Sequence, residues 1–300
     1  MQLVDQCNLC GSDNLRPFSV AFARDVVHNS IGRCADCGMF FANPMRSEDE
    51  LNEFYASEYY EDSGERMVRE FPLRVADAKQ QLQHDVLALR PPPGRFLEVG
   101  CGYGPVLLAA RELGYEVVGI EPGSEARAWA GREHGLEVRG EILERCGFED
   151  QSFDVIYAWH VIEHVPDMTR FLKEVRRVLK PGGVFFFGTE NYRCIPNRFS
   201  RAHHLMTGSL PGLDTADEHT FLFTPKLVCS VFPRFGFAVD MVRAYQPHHK
   251  RATFFAPARR GSPLKRAIHY SVLGTVYGLA SAWPGGGAHL KAAVRRSDSA

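Results

Sequence analysis

The 300-residue sequence predicts an α/β protein in which an open, doubly wound sheet follows a small N-terminal metal module. Three observations support that class. In residues 95–104, Arg-Phe-Leu-Glu-Val-Gly-Cys-Gly-Tyr-Gly, an apolar run ends in an acid and then in glycines at alternate positions, the pattern of a buried strand that turns tightly into a helix. Further apolar runs and amphipathic stretches alternate after it as far as residue 242. Two C-x-x-C-G units stand ahead of it.

Those units, Cys7-Asn-Leu-Cys10-Gly11 and Cys34-Ala-Asp-Cys37-Gly38, define a zinc ribbon over residues 1–45. Each pair supplies one side of a tetrahedral site, and the trailing glycine accommodates the turn of the knuckle. Cys7, Cys10, Cys34 and Cys37 are therefore the candidate ligands of a structural Zn2+. Four thiolates leave no position for water, which argues against a catalytic metal; iron in the same geometry is the competing ion. Zinc binding contributes ~10–16 kcal/mol in such peptides, enough to fold a short segment without a large core.

Residues 46–90 predict a helical lid or linker. Ser47-Glu-Asp-Glu50 is a capping box ahead of Leu51, Phe54 and Tyr55, and a second helical pattern runs from Val75 to Leu89 until Pro91-Pro92-Pro93 ends it. These helices are expected to cover the ligand site of the domain that follows, with Tyr55, Tyr59 and Tyr60 clustered between them.

Residues 91–296 hold the sheet. Phe96, Leu97 and Val99 suit the first strand, and Pro105 opens a helix that Gly114 stops. Ligands of such sheets bind outside the carboxyl ends of the strands, which makes Gly100, Cys101, Gly102 and Gly104 candidate cofactor residues. A dinucleotide fingerprint would need glycine at 105, where this chain has proline. Glu98 would repel a pyrophosphate and suits a ligand with an ammonium group, as S-adenosylmethionine has. Val117–Glu121 reads as the second strand, its terminal carboxylate placed to grip ribose hydroxyls. Leu136–Ile142 is the third strand and its exit, and Ser152–Ala158 the fourth. Phe171–Leu179 is an amphipathic helix, and Pro181-Gly-Gly183 turns it into the buried strand Val184–Phe187. His160-Val-Ile-Glu163-His164 falls between the fourth strand and that helix, at the end of the sheet where chemistry is expected. Asp217-Glu218-His219 precedes Thr220–Pro225, a helix entry, and Gly236–Val242 is the sixth strand.

Taken in order, Glu98-Val-Gly-Cys-Gly-Tyr-Gly104, Gly119-Ile-Glu-Pro122, Phe153-Asp-Val-Ile156, His160-Val-Ile-Glu-His-Val-Pro-Asp167 and Leu179-Lys-Pro-Gly-Gly183 resemble class I S-adenosylmethionine-dependent methyltransferases. The resemblance implies a Rossmann-like sheet of seven strands, with His289–Val294 the last and antiparallel one. It places Glu98, Gly100, Cys101, Gly102, Gly104, Glu121 and His160 around S-adenosylmethionine, and Glu141 with Ile142 at the adenine. With its zinc ribbon the chain is similar to sugar C-methyltransferases, whose acid–base work falls on a histidine matching His164 and on a Glu-His pair matching Glu218-His219. Those enzymes carry a longer C-terminal part. H-x-x-E-H with a distant histidine also resembles the E-x-x-E-H…H metal sites of small-RNA 2′-O-methyltransferases and the site proposed for ubiquinone-pathway O-methyltransferases. Here His160 replaces the first acid, and a histidine weakens a hard-cation site. The activity implied is methyl transfer to a small molecule, a sugar, polyketide, quinone or related metabolite, with His164, Glu218 and His219 handling the proton.

The formal net charge of -1 argues against a chain built to wrap nucleic acid, so an RNA methyltransferase that grips its substrate with the ribbon is the weaker alternative. A non-catalytic scaffold is opposed by the intact glycine loop and both cofactor acids. The N-terminus carries Asp5 and lacks a basic start followed by an apolar core, so a cytoplasmic location is expected. Residues 250–285 suggest a helical insertion: Lys250, Arg251, Arg259, Arg260, Lys265 and Arg266, then the mostly apolar run Ala267–Trp283. That run falls short of the ~20 apolar residues a spanning helix needs. It either packs on the sheet or makes a peripheral membrane contact, where each basic residue adds ~1 kcal/mol.

Overall fold

Runs rich in aromatic and β-branched residues become strands wherever helices cover both faces of a sheet. In chain order the elements are β1 (Leu15–Val20), β2 (Ser30–Cys34), β3 (Phe40–Asn43), α1 (Glu48–Glu53), α2 (Gly64–Asp85), β4 (Arg95–Val99), α3 (Pro105–Glu112), β5 (Glu116–Ile120), α4 (Ser124–His134), β6 (Val138–Arg139), β7 (Phe153–Trp159), α5 (Met168–Val178), β8 (Leu179–Glu190), β9 (Phe221–Leu222), α6 (Pro225–Val231), β10 (Phe237–Tyr245) and β11 (His289–Arg296). The structure, a computed structural model, describes residues 2–20, 30–53, 64–195, 197–198, 219–245, 275–276, 278–280, 283 and 286–297. Tyr55, Tyr59, Tyr60, Asp217, Glu218 and the basic run from Lys250 to Arg266 lie outside the described residues.

The seven-stranded sheet has the order β10-β11-β8-β7-β4-β5-β6. It is parallel from β8 to β6, and β11 runs antiparallel to both of its neighbours. The chain steps outward from β4 to β5 and β6, then returns to add β7 on the other side of β4. That reversal opens a crevice at the carboxyl ends of β4 and β7. Both faces of β8 are buried, because Phe185 and Phe187 join one apolar layer while Val184 and Phe186 join the other.

Local signals explain the helices around the crevice. Ser47 and Glu50 form the reciprocal capping box, Ser47 N donating to Glu50 Oε2 at 2.8 Å and Glu50 N to Ser47 Oγ at 3.2 Å. Asp167 caps α5 by accepting from Arg170 N at 2.9 Å, and Thr224 caps α6 by accepting from Leu227 N at 3.1 Å. Of the expected lid, α1 reaches the crevice through Leu51. Helix α2 starts at Gly64 and packs elsewhere: Ala78 and Leu82, followed by Val86, join Phe96, Leu107 and Ala110 in the core.

Two segments differ from the sequence expectation. The third strand shortens to β6, after which Leu143, buried in the core, pulls the chain into a 3₁₀ turn over Leu143–Arg145. Residues 221–222 are a strand, not part of a helix entry: β9 pairs with β3 and completes a second, four-stranded sheet of order β1-β2-β3-β9. Among the described residues no helix is long and apolar enough to cross a membrane.

Candidate active site

The crevice opens into a cleft of about 190 Å³. Gly100 forms its floor at the end of β4 with φ 72°, and a β-carbon there would lie 2.5 Å from Val161 Cγ2. Only glycine permits this approach. Glu121, at the end of β5 and 4% exposed, is fixed by two amides: Gly102 N donates to Oε2 at 2.8 Å and Gly123 N to Oε1 at 2.7 Å. One carboxylate thus ties the glycine loop to the loop after β5. Pro122, Ile142 and Leu143 add an apolar wall.

Several predicted cofactor residues sit behind that surface. Cys101, Gly102 and Gly104 shape the loop without lining the cleft, and Glu98 is buried beneath it. Burial pushes the Glu98 carboxyl well above its ordinary pKa, the Leu107 amide opposes this, and the nearby Glu121 charge adds to it. Glu98 Oε2 has no hydrogen-bond partner among the described residues. Glu141 is exposed and outside the lining, whereas Glu144 lines the cleft, its pKa raised by burial. Spacing alone could not find Glu144, because the early end of β6 and the 3₁₀ turn bring it inward.

At the other end of the cleft the His160–His164 turn gathers three ionisable groups. His160 has φ 54°, a left-handed conformation that side chains other than glycine adopt rarely, and its Nδ1 stands 2.9 Å from Glu163 Oε1. Glu163 is 1% exposed. Burial would raise its pKa, but the His160 hydrogen bond and the charges of His160, His164 and His219 outweigh it and bring the group to about 2. The rings of His164 and His219 have centroids 4.7 Å apart, and His164 lines the cleft. His219 Nδ1 makes no hydrogen bond among the described residues, with Glu190 Oε2 3.9 Å away. Ligand atoms of Glu163, His164 and His219 lie within 4.8 Å of one another. One carboxylate and two imidazoles suit a borderline transition ion better than magnesium.

The four predicted cysteine ligands also converge, with all sulfurs within 4.8 Å and the pairs Cys7–Cys37 and Cys10–Cys34 both at 3.6 Å. Tetrahedral zinc with bonds of about 2.3 Å sets sulfur–sulfur separations near ~3.8 Å. The donor set fits the ion.

A methyltransferase-domain family model matches residues 73–242, more than half of the chain. The chain belongs to this methyltransferase-domain family. It is 31% identical over 135 residues to a sterol 4-C-methyltransferase of Caenorhabditis elegans, covering 41% of this chain and 40% of that protein. It is 40% identical over 107 residues to a ubiquinone biosynthesis O-methyltransferase of Hahella chejuensis, covering 33% of this chain and 44% of that protein. The matched part thus spans less than half the length of either relative. Among solved structures, an S-adenosylmethionine-dependent methyltransferase of Thermotoga maritima shares the fold with TM-score 0.53 and 19% identity, covering 82% of this chain and 100% of that one. Gly100, the fixed Glu121 carboxylate and the apolar wall of Pro122, Ile142 and Leu143 are groups of the kind that fit the adenosyl half of S-adenosylmethionine.

Proposed function

We propose that the chain transfers the methyl group of S-adenosylmethionine to a small organic acceptor, with His164 and His219 taking up the acceptor's proton. The observation that carries this reading is His164 at one end of a cleft whose floor is Gly100 and whose fixed carboxylate is Glu121, with the His219 ring packed against it from a small neighbouring cavity. S-adenosylmethionine supplies an electrophilic methyl group when bound. Glu121 would accept from the ribose hydroxyls, and Pro122, Ile142 and Leu143 would flank the base. Glu98 would answer the ammonium group, since a nearby cation draws the proton off a carboxyl held neutral by burial.

Alignment of methyl and acceptor supplies most of the rate in such a transfer, and a positioned base adds ~10²–10⁴-fold. An unperturbed imidazole with pKa near ~6.5 is neutral and proton-accepting at neutral pH. Glu163, ionised and buried beside both rings, stabilises the imidazolium that forms. Glu218, which the sequence places beside His219, lies outside the described residues. The relatives are named as a sterol 4-C-methyltransferase and a ubiquinone biosynthesis O-methyltransferase, which favours a lipophilic ring acceptor over a sugar. Cys7, Cys10, Cys34 and Cys37 would hold a structural Zn2+ away from the transfer itself.

Calorimetry with S-adenosylmethionine and with NAD, followed by labelled-methyl transfer to a panel of acceptors, tests the reading. His164→Ala or His219→Ala is expected to lower turnover by about 100-fold or more with little change in cofactor affinity. Tight NAD binding without an S-adenosylmethionine signal overturns it. A second equivalent of metal per chain would replace the base by a cation at the same residues.

A further inference from the structure

The zinc ribbon meets the methyltransferase domain at two places, and each lies beside one of the paired histidines. The first knuckle carries Asn8 between its cysteines. Asn8 Oδ1 accepts from Met168 N at 2.7 Å, and Thr169 Oγ1 donates to Asn8 O at 2.5 Å. Both contacts grip the start of α5, four residues beyond His164. The second knuckle is the turn between β2 and β3: Cys34 ends β2, Gly38 N donates to Cys34 O at 3.0 Å and Cys34 N to Met39 O at 2.9 Å. From there β3 pairs with β9, and Ala42 N donates to Thr220 O at 3.0 Å. Thr220 directly follows His219.

On its other side the same segment is bonded to the His160–His164 turn. Thr220 N and Phe221 N both donate to Glu163 O, at 2.9 and 3.0 Å. The His219 segment is therefore held between the ribbon hairpin and the backbone of Glu163, and β9 is only two residues long. A strand that short has little stability of its own and depends on its partner. Packing follows the same route: Leu9, Cys34, Met39 and Phe41 share one core with Ile162, Val165, Met168 and Phe221.

We infer that the four-cysteine centre is a clamp that sets the spacing of His164 and His219, with Asn8 as a positioning residue on one arm and the β3–β9 pairing as the other. With four ligands drawn to one ion, both knuckles are fixed relative to each other, and so are the two histidine-bearing segments they hold. Removing the ion frees the knuckles and lets β9 separate from Glu163, while the glycine loop and Glu121, anchored on β4 and β5, stay in place. The clamp's effect on turnover rests on the reading of His164 and His219 as the proton-handling pair. Its effect on the backbone does not.

Amide hydrogen exchange of the full chain separates the two. After the metal is stripped by a chelator and its loss verified by elemental analysis, the amides of Ala42, Met168, Thr220 and Phe221 should exchange about 100-fold faster, while those of Gly100, Cys101 and Gly119 change by less than about threefold. S-adenosylmethionine affinity should likewise hold within about threefold. Asn8→Ala, which keeps all four cysteines, should speed exchange at Met168 and lower turnover by about fivefold to tenfold; Asn8→Asp, which retains the acceptor, should restore both. Unchanged exchange at Thr220 and Phe221 in the metal-free protein overturns the clamp. A uniform rise that includes Gly100 and Gly119 also overturns it, since the metal would then support the whole fold. Faster exchange at β9 with undiminished turnover leaves the clamp standing and removes the histidines from the reaction.

Discussion

Replacing Gly100 by alanine adds one carbon at the floor of the cleft. The residue has φ 72°, where a side chain costs about 1–2 kcal/mol. The new β-carbon would lie 2.5 Å from Val161 Cγ2, roughly 1 Å inside an ordinary carbon–carbon contact. Val161 is β-branched and so restricted at χ1, and its carbonyl accepts from His164 N at 2.8 Å. Relief by an off-rotamer side chain or a shift of the turn costs about 1–3 kcal/mol. The expected loss of stability is therefore about 2–5 kcal/mol, and the shift carries into His160 and His164, lowering cofactor affinity and turnover together. Val161→Ala removes the obstructing methyl. In the double variant the overlap disappears and the backbone cost of about 1–2 kcal/mol remains. Urea unfolding and calorimetric titration with S-adenosylmethionine of the parent, both single variants and the double variant close the cycle. Additivity within about 0.5 kcal/mol, or parental cofactor affinity in Gly100→Ala, refutes the geometry.

Three further outcomes are expected. Purified protein carries about one tetrahedral metal per chain, and the Cys34→Ser, Cys37→Ser double variant loses it by elemental analysis; unchanged metal content would remove the four cysteines as ligands. Glu144→Ala weakens S-adenosylmethionine binding by about tenfold and Glu141→Ala by less than about twofold, since only the former lines the cleft; calorimetry showing the reverse order would restore Glu141 to the adenine. Burial would raise the Asp154 carboxyl, but hydrogen bonds from Lys180 Nζ, Arg90 and Arg95 N bring it below its usual range. Its contribution is therefore complete above the unfolded carboxyl's pKa and lost as pH falls through the lower folded value. Asp154→Asn should cost about 1–3 kcal/mol at neutral pH and flatten the acid limb of the stability profile, and an unaltered limb would show the carboxylate to be uncoupled from folding.

The parts of this fold that sequence discloses are those whose signal is local. The capping box at Ser47 and Glu50, the proline that opens α3 with the left-handed Gly114 beyond its end, and the apolar run of β8 each act within a few residues, and each is read correctly from its neighbours. What escapes is decided by distant partners. Phe221–Leu222 next to Thr-Pro reads as a helix entry because the strand that pairs with it, β3, lies far away in the ribbon. The third strand ends early because Leu143 has a core position to fill, which no pattern within residues 136–142 reveals. Helix α2 reads as part of a lid because an amphipathic pattern states that a face is buried without stating against what.

The candidate site divides along the same line. Gly100 and Glu121 could be placed at the crevice because strand and loop are contiguous in the chain, and the four cysteines could be grouped because two knuckles suffice for a tetrahedral arrangement. The sequence places a carboxylate next to His219 at Glu218, which lies outside the described residues. Glu163 also lies near His219, held there by the two amides that donate to its carbonyl, and its side chain reaches His160. An i, i+3 spacing within His160–Glu163 is the only local trace of this, and it needs the left-handed turn at His160 to become a contact. The consequence is energetic as well as geometric. A carboxylate 1% exposed responds to a ring's charge far more strongly than one in solvent would, so at Glu163 the neighbouring histidines outweigh the burial that would otherwise raise its pKa.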